Sequence, residues 1–234
     1  MEKIFYRTEK LIGSDNLEIL KNSSVAVIGL GGVGSYAVEA ICRSGVGEIL
    51  IADSDRIEET NLNRQLPALL STIGQYKTDV VEKRLLDINP MLKITKHTVR
   101  LNGKNQHEIL SGHYDYVIDA IDSVPDKIAL IRYCVSNQIP IISAMGAANR
   151  IDPTLLKVDD IKNTSVCPLA KKIRRELRNY GINEGVQVVY SSENPIKTDY
   201  DGGTRLGSIS FVPGAMGLIL ASVVIRNLID RTKL

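Results

Sequence analysis

The chain of 234 residues lacks the paired cysteines that a disulfide framework or a structural zinc site requires. Its three cysteines, Cys42, Cys134 and Cys167, are widely spaced and form no CxxC pair, and the three histidines stand alone. This usage fits a reducing compartment, so we expect a cytoplasmic protein. The formal net charge is only +2, so any nucleic-acid-binding surface must be local.

A secretory signal is also missing, because the first five residues do not begin a basic and then apolar pattern. One run, 206–225, carries no charge and is long enough to span a membrane. Glycines and a proline interrupt this run. We interpret it as a buried strand, a glycine-rich turn and a core helix, and expect no stable membrane insertion.

Apolar runs of strand length alternate with segments of helical periodicity. The predicted strands are 25–28, 49–52, 94–99, 116–118 and 140–143, and the predicted helices are 35–44, 77–89, 104–110 and 126–137. This alternation predicts right-handed crossovers and a doubly wound α/β fold with a mostly parallel, Rossmann-like sheet.

The last third follows another pattern, with a β-like run at 186–190, a polar loop at 191–205 and the apolar stretch 209–225. We expect a C-terminal strand and helix extension of the sheet. The predicted single domain comprises an N-terminal helical arm (1–22), a nucleotide-binding core (23–150) and a substrate-side, closing segment (151–234).

A glycine run lies between the first predicted strand and the helix after it. Gly29, Gly31 and Gly34 satisfy the G-x-G-x-x-G pattern, and Asp53 follows about twenty residues later, where a carboxylate can accept hydrogen bonds from ribose hydroxyls. Such a turn can hold phosphate with backbone N–H groups. Taken alone, the pattern favours NAD, and a turn needed only for packing is the alternative.

Two cations near this turn indicate a triphosphate. Arg64 and Lys77 could neutralise charge as pyrophosphate leaves, although a solvated loop and a surface lysine are the alternative. Asp119 and Asp122 follow the fourth strand, where open α/β sheets place their ligands. One of these carboxylates could hold Mg²⁺, and Asp122 could instead cap the next helix.

Together these motifs resemble the ATP-binding signature of the ubiquitin-activating superfamily, which includes the ThiF/MoeB-like adenylyltransferases. The segments that carry the resemblance are 29–35, Asp53, 61–65, Lys77 and 119–122. Further segments resemble one branch, the tRNA threonylcarbamoyladenosine dehydratases, along nearly the whole chain. They are 73–74, 87–90, 116–123, 144–147 and 151–154.

The resemblance implies a role for each matching residue. The implied ATP-binding residues are Gly29, Gly31, Gly32, Gly34, Asp53, Asn61, Asn63, Arg64, Gln65, Lys77, Asp122 and Ser123. Within this set Asp53 would bind the ribose, Asn61, Arg64 and Lys77 the phosphates, and Asp122 the Mg²⁺. The family also implies a homodimer, in which Arg7 would reach the partner subunit's ATP, or else remain solvated.

On the substrate side, a basic segment contributes Lys171, Lys172, Arg174, Arg175 and Arg178. A solvated helix face is the ordinary interpretation, and beside the family resemblance the segment becomes a candidate tRNA-phosphate surface. Cys167, in a predicted loop, could be a nucleophile if lysines lowered the pKa of its thiol, or simply a small, partly buried residue.

The resemblance implies ATP-dependent adenylation of the threonyl carboxylate of threonylcarbamoyladenosine in tRNA, followed by cyclisation with loss of water. The main alternative is activation of the C-terminal glycine of a ubiquitin-like sulfur carrier. An NAD-dependent oxidoreductase and a non-catalytic RNA-binding relative are weaker alternatives. The expected partners are tRNA, a second copy of the chain and a sulfur-relay or accessory protein.

Overall fold

A computed structural model describes residues 3–197 and 206–230, and its centre is a seven-stranded sheet. The strands are β1 Ser24–Ile28, β2 Glu48–Ala52, β3 Lys93–His97, β4 Tyr116–Asp119, β5 Ile141–Ala144, β6 Leu156–Asp160 and β7 Gln187–Ser191. Their order across the sheet is β3-β2-β1-β4-β5-β7-β6. All neighbouring pairs are parallel except β6 and β7. The predicted doubly wound α/β fold is therefore confirmed.

Helices cover both faces of the sheet. They are α1 Tyr6–Ile12, α2 Ser14–Lys21, α3 Gly34–Ser44, α4 Lys77–Ile88, α5 Gln106–Ile109, α6 Val124–Ser136, α7 Pro168–Arg178 and α8 Phe211–Asp230. One apolar cluster packs α3 and α8 on the sheet, and a second packs α6 and α7 on the opposite face. Strands β1, β2, β4 and β5 are almost entirely buried, as expected for parallel strands covered on both faces.

The sequence prediction missed β6, the antiparallel edge strand. Its sequence, Leu-Lys-Val-Asp-Asp, is mostly polar, and its residues are intermediate or exposed. Charged residues are common on edge strands, where they discourage pairing with another chain. A strand of this kind carries little of the apolar signal on which the other strands were predicted.

The prediction for 206–225 was partly wrong. Residues 206–210 form no strand, and one long helix, α8, begins at Phe211 and includes Pro213 in its first turn. Proline is tolerated there because the first N–H groups of a helix have no partner within it. A side chain at Gly217 would lie 2.3 Å from the Val33 carbonyl oxygen, so this glycine lets α8 approach α3 closely.

By length and composition α8 could cross a membrane, but more than half of its apolar window is buried inside the molecule. It packs extensively on α3, as the predicted core helix would. The predicted polar loop 191–205 begins with Ser191, which belongs to β7, and its residues 198–205 lie outside the described part of the chain.

Candidate functional site

The order of strands reverses between β1 and β4, and the loops that follow these two strands border one crevice. Open α/β sheets bind ligands at such a switch point. Gly29 follows β1 with φ +92°, and a Cβ on it would lie 2.7 Å from the carbonyl oxygen of Ala120, which follows β4. A Cβ on Gly34 would lie only 1.8 Å from the Gly29 oxygen. These two glycines thus let the turn close on itself and on its neighbour.

Gly31 and Gly32 have a different environment. A Cβ atom added at either position would meet only side chains, at 3.8 Å for Gly31 and 3.3 Å or more for Gly32. Among the described residues, the N–H groups of Gly31, Gly32 and Val33 have no hydrogen-bond acceptor. They precede α3, an eleven-residue helix. Free N–H groups at a helix N-terminus are an anion-binding arrangement, and the helix dipole adds to it.

Asp53 follows β2 and supports the glycine turn directly. Its Oδ2 accepts a hydrogen bond from the Leu30 N–H at 2.7 Å, and its Oδ1 accepts one from the Asp55 N–H at 2.8 Å. Burial raises the pKa of Asp53, while Lys77 and the two N–H donors oppose the shift. The carboxylate is therefore fixed at the place where the dinucleotide pattern expects a ribose ligand.

Lys77 begins α4 with its side chain 6% exposed, and its Nζ donates to Asp55 Oδ2 at 2.7 Å. Burial alone would raise the pKa of Asp55, but the hydrogen bond and charge of Lys77 lower it overall. The structure thus brings Asp53, Asp55 and Lys77 together. The partner Asp55 was not predicted as a site residue, although its position two residues after Asp53 was the available signal.

Arg64 and Gln65 lie against the glycine turn. The Cγ of Arg64 would be 3.3 Å from a Cβ on Gly32, and the guanidinium donates to Thr60 O at 2.8 Å. Gln65 is 7% exposed, its amide lies nearest to Gly31, and its buried Oε1 has no hydrogen-bond partner among the described residues. An unsatisfied amide beside a turn of free N–H groups fits a polar ligand bound there.

Two predicted residues of the same segment make contacts that hold the backbone. Asn61 Oδ1 accepts from the Glu58 N–H at 3.2 Å, which closes a short 3₁₀ turn, and the residue is 7% exposed. Asn63 Nδ2 donates to Ser208 O at 3.0 Å, and its Oδ1 accepts from Arg64 at 2.9 Å. Both asparagines therefore position the segment that carries Arg64.

Asp119, the last residue of β4, and Asp122, which follows the strand, lie in opposite environments. Asp119 is fully buried, and its Oδ2 accepts from Lys127 Nζ at 2.8 Å and from Ser143 Oγ at 2.6 Å. Asp122 is exposed and makes no hydrogen bond or ion pair within the described residues. It does not cap α6, because Ser123 holds the N-cap position. The capping interpretation of Asp122 is wrong, and of the two carboxylates only Asp122 is free for a metal.

The sequence reasoning missed Lys127 and Arg100. Lys127 is 0% exposed. A lysine within a helical sequence is usually at the surface, so nothing in the sequence indicated that its partners are buried. Arg100 follows β3 and donates to Asp126 at 2.7 Å and to Ser123 Oγ at 3.0 Å. Ser123, a predicted ATP-binding residue, is thereby engaged with Arg100 at the start of α6.

Arg7 lies away from its own chain's crevice. It is exposed in the first turn of α1, and Phe5 beside it lies 3.6 Å from a Cβ position on Gly45. Gly45 caps the far end of α3, about 16 Å from the glycine turn at the 1.5 Å rise of an α-helix. Arg7 therefore does not join the other predicted residues within one chain.

On the substrate side, Cys167 is only 2% exposed, and its Sγ lies 3.4 Å from a Cβ position on Gly146. This position fits the interpretation of Cys167 as a small buried residue better than the interpretation of Cys167 as a nucleophile. In α7, Arg174 donates to the carbonyl oxygens of Ile161 and Thr164 at 3.3 and 2.8 Å, so it holds a neighbouring loop. The remaining predicted cations of this helix are exposed: Lys171, Lys172, Arg175 and Arg178.

The chain is similar to the same group of proteins in sequence and in structure. The model of the ThiF family matches residues 6–234. The chain is 44% identical over 239 residues to the tRNA threonylcarbamoyladenosine dehydratase of Bacillus subtilis, covering 96% of this chain and 94% of that one. The Escherichia coli tRNA N6-threonylcarbamoyladenosine dehydratase has been solved in complex with AMP and with ATP. These structures match with TM-scores of 0.94 and 0.93 at 35% identity, covering 99% of this chain and 96% of theirs.

A second type of relative matches a smaller part of the chain. The adenylyltransferase and sulfurtransferase UBA4 of Saccharomyces cerevisiae is 33% identical over 142 residues. This match covers 61% of the present chain and 32% of that protein.

Proposed function

The chain belongs to the ThiF family, and on this premise we propose that it is an ATP-dependent tRNA threonylcarbamoyladenosine dehydratase. The observation that supports the proposal most strongly is the crevice between β1 and β4. It combines N–H groups without an acceptor among the described residues, the cations of Arg64 and Lys77, and the fixed Asp53 carboxylate. This set matches the needs of a nucleoside triphosphate, and the relative of known structure binds ATP and AMP.

The triphosphate would lie on the N–H groups of Gly31, Gly32 and Val33, with its ribose toward Asp53. Arg64 and Lys77 would neutralise the charge that develops on the leaving pyrophosphate. Lys77 is engaged with Asp55 in this structure, so its role requires either exchange of that partner or action through its charge.

Mg²⁺ would be held by Asp122, the one carboxylate after β4 that is exposed and without a partner in the described residues. No group of three or more His, Cys, Asp or Glu side chains suitable for a metal occurs in the described residues. A single carboxylate still fits, since Mg²⁺ at nucleotides is commonly held by one or two carboxylates together with phosphate oxygens. When bound, the ion would neutralise phosphate charge.

The reaction has two steps. The threonyl carboxylate attacks the α-phosphorus of ATP, which forms an acyl-adenylate and breaks the bond to pyrophosphate. A nitrogen or oxygen of the carbamoyl group then attacks the activated carbonyl carbon, a carbamoyl N–H proton is lost, and AMP leaves with one carboxylate oxygen. Because the second nucleophile belongs to the same molecule, positioning is most of what the protein must supply.

Activation of a ubiquitin-like sulfur carrier is the second candidate, since the adenylyltransferase and sulfurtransferase relative shares part of the chain. Two observations count against it. Cys167 is buried, and no CxxC pair occurs in the sequence. An NAD-dependent oxidoreductase is disfavoured by Arg64 and Lys77 at the turn.

Further parts belong to the proposal. The exposed cations of α7 would contact tRNA phosphates, and two copies of the chain would form a homodimer in which Arg7 completes the partner's ATP site. A cytoplasmic location and an accessory sulfur-relay protein are expectations of the same kind.

The test is AMP release from ATP with three additions: tRNA carrying threonylcarbamoyladenosine, the same tRNA without that modification, and candidate carrier proteins ending in Gly-Gly. We expect stimulation by the modified tRNA alone. Stimulation by a carrier protein and not by the modified tRNA would contradict the proposal.

A further inference from the structure

Arg150 is a buried arginine whose charge has no counter-charge in the part of the chain that the structure describes. It lies in the loop after β5 and is only 4% exposed. Its Nη1 donates to the Asn149 carbonyl oxygen at 3.2 Å, and its buried Nε has no hydrogen-bond partner. Within residues 3–197 and 206–230, Arg150 forms no ion pair. A guanidinium remains charged at any physiological pH, so this burial is unfavourable for the folded chain alone.

A carboxylate lies nearby, but the backbone has already engaged it. Glu193 accepts hydrogen bonds from the N–H groups of Ile151 and Asp152 at 3.1 and 3.0 Å. These are the two residues directly after Arg150, yet the arginine does not pair with Glu193. The carboxylate of Glu193 is therefore engaged by the backbone, and the Arg150 guanidinium has no counter-charge among the described residues.

A short strap, residues 207–210, ties the Arg150 loop to the segment that carries Arg64. The Asn149 N–H donates to Gly207 O at 2.8 Å, and the Gly207 N–H donates to Asn149 Oδ1 at 2.6 Å. The next residue, Ser208, accepts from Asn63 Nδ2 at 3.0 Å. Two consecutive strap residues thus join the neighbour of Arg150 to the neighbour of Arg64.

The order of strands places the loop that carries Arg150 on the other side of β4 from the glycine turn. Across the sheet, β4 lies between β1, which carries the glycine turn, and β5, which leads to Arg150. Arg64 and Lys77 already lie on the glycine-turn side, where the triphosphate would bind. Attack on a phosphorus atom is in line with the leaving group, so the nucleophile approaches from the side opposite pyrophosphate.

We infer that Arg150 is a substrate-binding residue that pairs with the carboxylate to be adenylated and holds it beside the α-phosphate. This inference rests on the proposed function. Arginine suits the role because its planar fork binds both oxygens of a carboxylate at once. The same chemistry would also suit a phosphate of ATP or of the tRNA backbone, so the experiment separates these three sources.

The experiment compares Arg150→Gln and Arg150→Lys with the unsubstituted protein in four measurements. They are kcat/KM for modified tRNA by AMP release, ATP affinity by calorimetry, affinity for tRNA lacking the threonylcarbamoyl group, and Tm. Arg132→Gln is the matched control, because Arg132 is exposed and stacks 3.6 Å from the Tyr180 ring, away from the site.

For Arg150→Gln we expect kcat/KM for modified tRNA to fall about tenfold or more, as for loss of a hydrogen-bonded charge. ATP affinity and affinity for unmodified tRNA should stay within about twofold, and Arg150→Lys should retain part of the activity. Tm should be unchanged or higher, because the substitution removes an unpaired buried charge. A purely structural role would lower Tm instead.

Each of four results would overturn the inference: kcat/KM equal to that of the unsubstituted protein, an equal loss of ATP affinity, an equal loss of affinity for unmodified tRNA, or a lowered Tm. If the unsubstituted protein turns over modified tRNA and Arg150→Gln does so with the same kinetics, the inference about Arg150 is rejected and the proposed function stands. If the unsubstituted protein releases no AMP with modified tRNA, the proposed function fails and the inference fails with it.

Discussion

Asp119, at the end of β4, and Asp122, just after it, are three residues apart and belong to different parts of the molecule. Asp119 lies in the interior, where Lys127 and Ser143 hold it, and its Oδ1 also accepts from the Ile121 N–H at 3.0 Å. Asp122 lies on the rim of the crevice, without a partner in the described residues. The interior carboxylate shapes the loop, and the rim carboxylate is left free for a ligand.

This contrast extends around the crevice. Gly29 and Gly34 are needed where backbone meets backbone, whereas Gly31 and Gly32 leave N–H groups free. Residues with satisfied partners should therefore govern stability, and residues without them should govern activity. The following predictions test that division, beginning with the largest expected effect.

Substitution in the interior should affect stability first. Lys127→Met leaves Asp119 buried without its cation, so we expect the free energy of unfolding to fall by about 3–5 kcal/mol. Urea denaturation followed by circular dichroism measures this change. The double variant Asp119→Asn, Lys127→Met should recover much of the loss, because no unpaired charge remains. A Lys127→Met protein as stable as the unsubstituted one would contradict the claim that the buried pair of Asp119 and Lys127 governs stability.

Substitution on the rim should affect activity and leave stability alone. Asp122→Asn removes the proposed Mg²⁺ ligand, so the Mg²⁺ concentration needed for half-maximal AMP formation should rise roughly 10–100-fold. The unfolding free energy should change by less than about 0.5 kcal/mol. Asp15→Asn, an exposed acid on α2, is the control. An unchanged Mg²⁺ requirement would remove Asp122 from the metal site.

Asp53 lies between these extremes, because it holds the Leu30 N–H and is also the proposed ribose ligand. Burial raises its pKa, so the carboxylate gains its proton at a pH above the ordinary value of about 3.9. As the pH falls through that raised pKa, the protonated form accepts poorly and ATP binding should weaken.

Asp53→Asn should bind ATP about tenfold more weakly at neutral pH, and it should lose this acid dependence. Calorimetric titration at several pH values measures both effects. Titration of ATP itself is common to the two proteins and cancels in their ratio. A ratio that does not change as the pH is lowered would show that Asp53 does not control the acid limb.

The smallest effects are expected from substitutions on α7. This helix repeats the contrast, because Arg174 is hydrogen-bonded to a neighbouring loop whereas Lys171 and Arg175 are exposed. Lys171→Glu with Arg175→Glu should weaken tRNA binding roughly three- to tenfold and reduce its dependence on salt concentration. Arg174→Gln should mainly lower stability, by about 1 kcal/mol, because Arg174 holds the carbonyl oxygens of Ile161 and Thr164. Filter binding at several salt concentrations measures the first effect. The exposed lysines Lys93 and Lys104, each changed to Glu, are the controls.

The sequence predicted the parts of the molecule whose signal is local. Buried parallel strands are continuous apolar runs, so β1, β2, β4 and β5 were predicted within one residue at each end. The glycine pattern lies in the turn between β1 and α3, and Asp53 follows the next strand, β2. Because these residues are close together in the sequence, they could be recognised as a set. The polar edge strand β6 offered no such signal, and the glycines and the proline in the first part of α8 concealed where this predicted core helix begins.

Partners distant in the chain could not be predicted. Lys127 pairs with a carboxylate eight residues earlier and a hydroxyl sixteen residues later, across two strands. Arg150 is unusual only because of what it lacks, and an absent partner leaves no trace in a sequence. Such features depend on how the loops meet at the edge of the sheet.

The central claim is that the substrate carboxylate attacks the α-phosphorus of ATP. The direct measurement is a single-turnover reaction with modified tRNA whose threonyl carboxylate carries ¹⁸O at both oxygens, with mass analysis of the AMP released. The account predicts one ¹⁸O atom in each AMP and one oxygen fewer in the cyclised nucleoside. AMP without the label, from a reaction that still yields the dehydrated nucleoside, would contradict it.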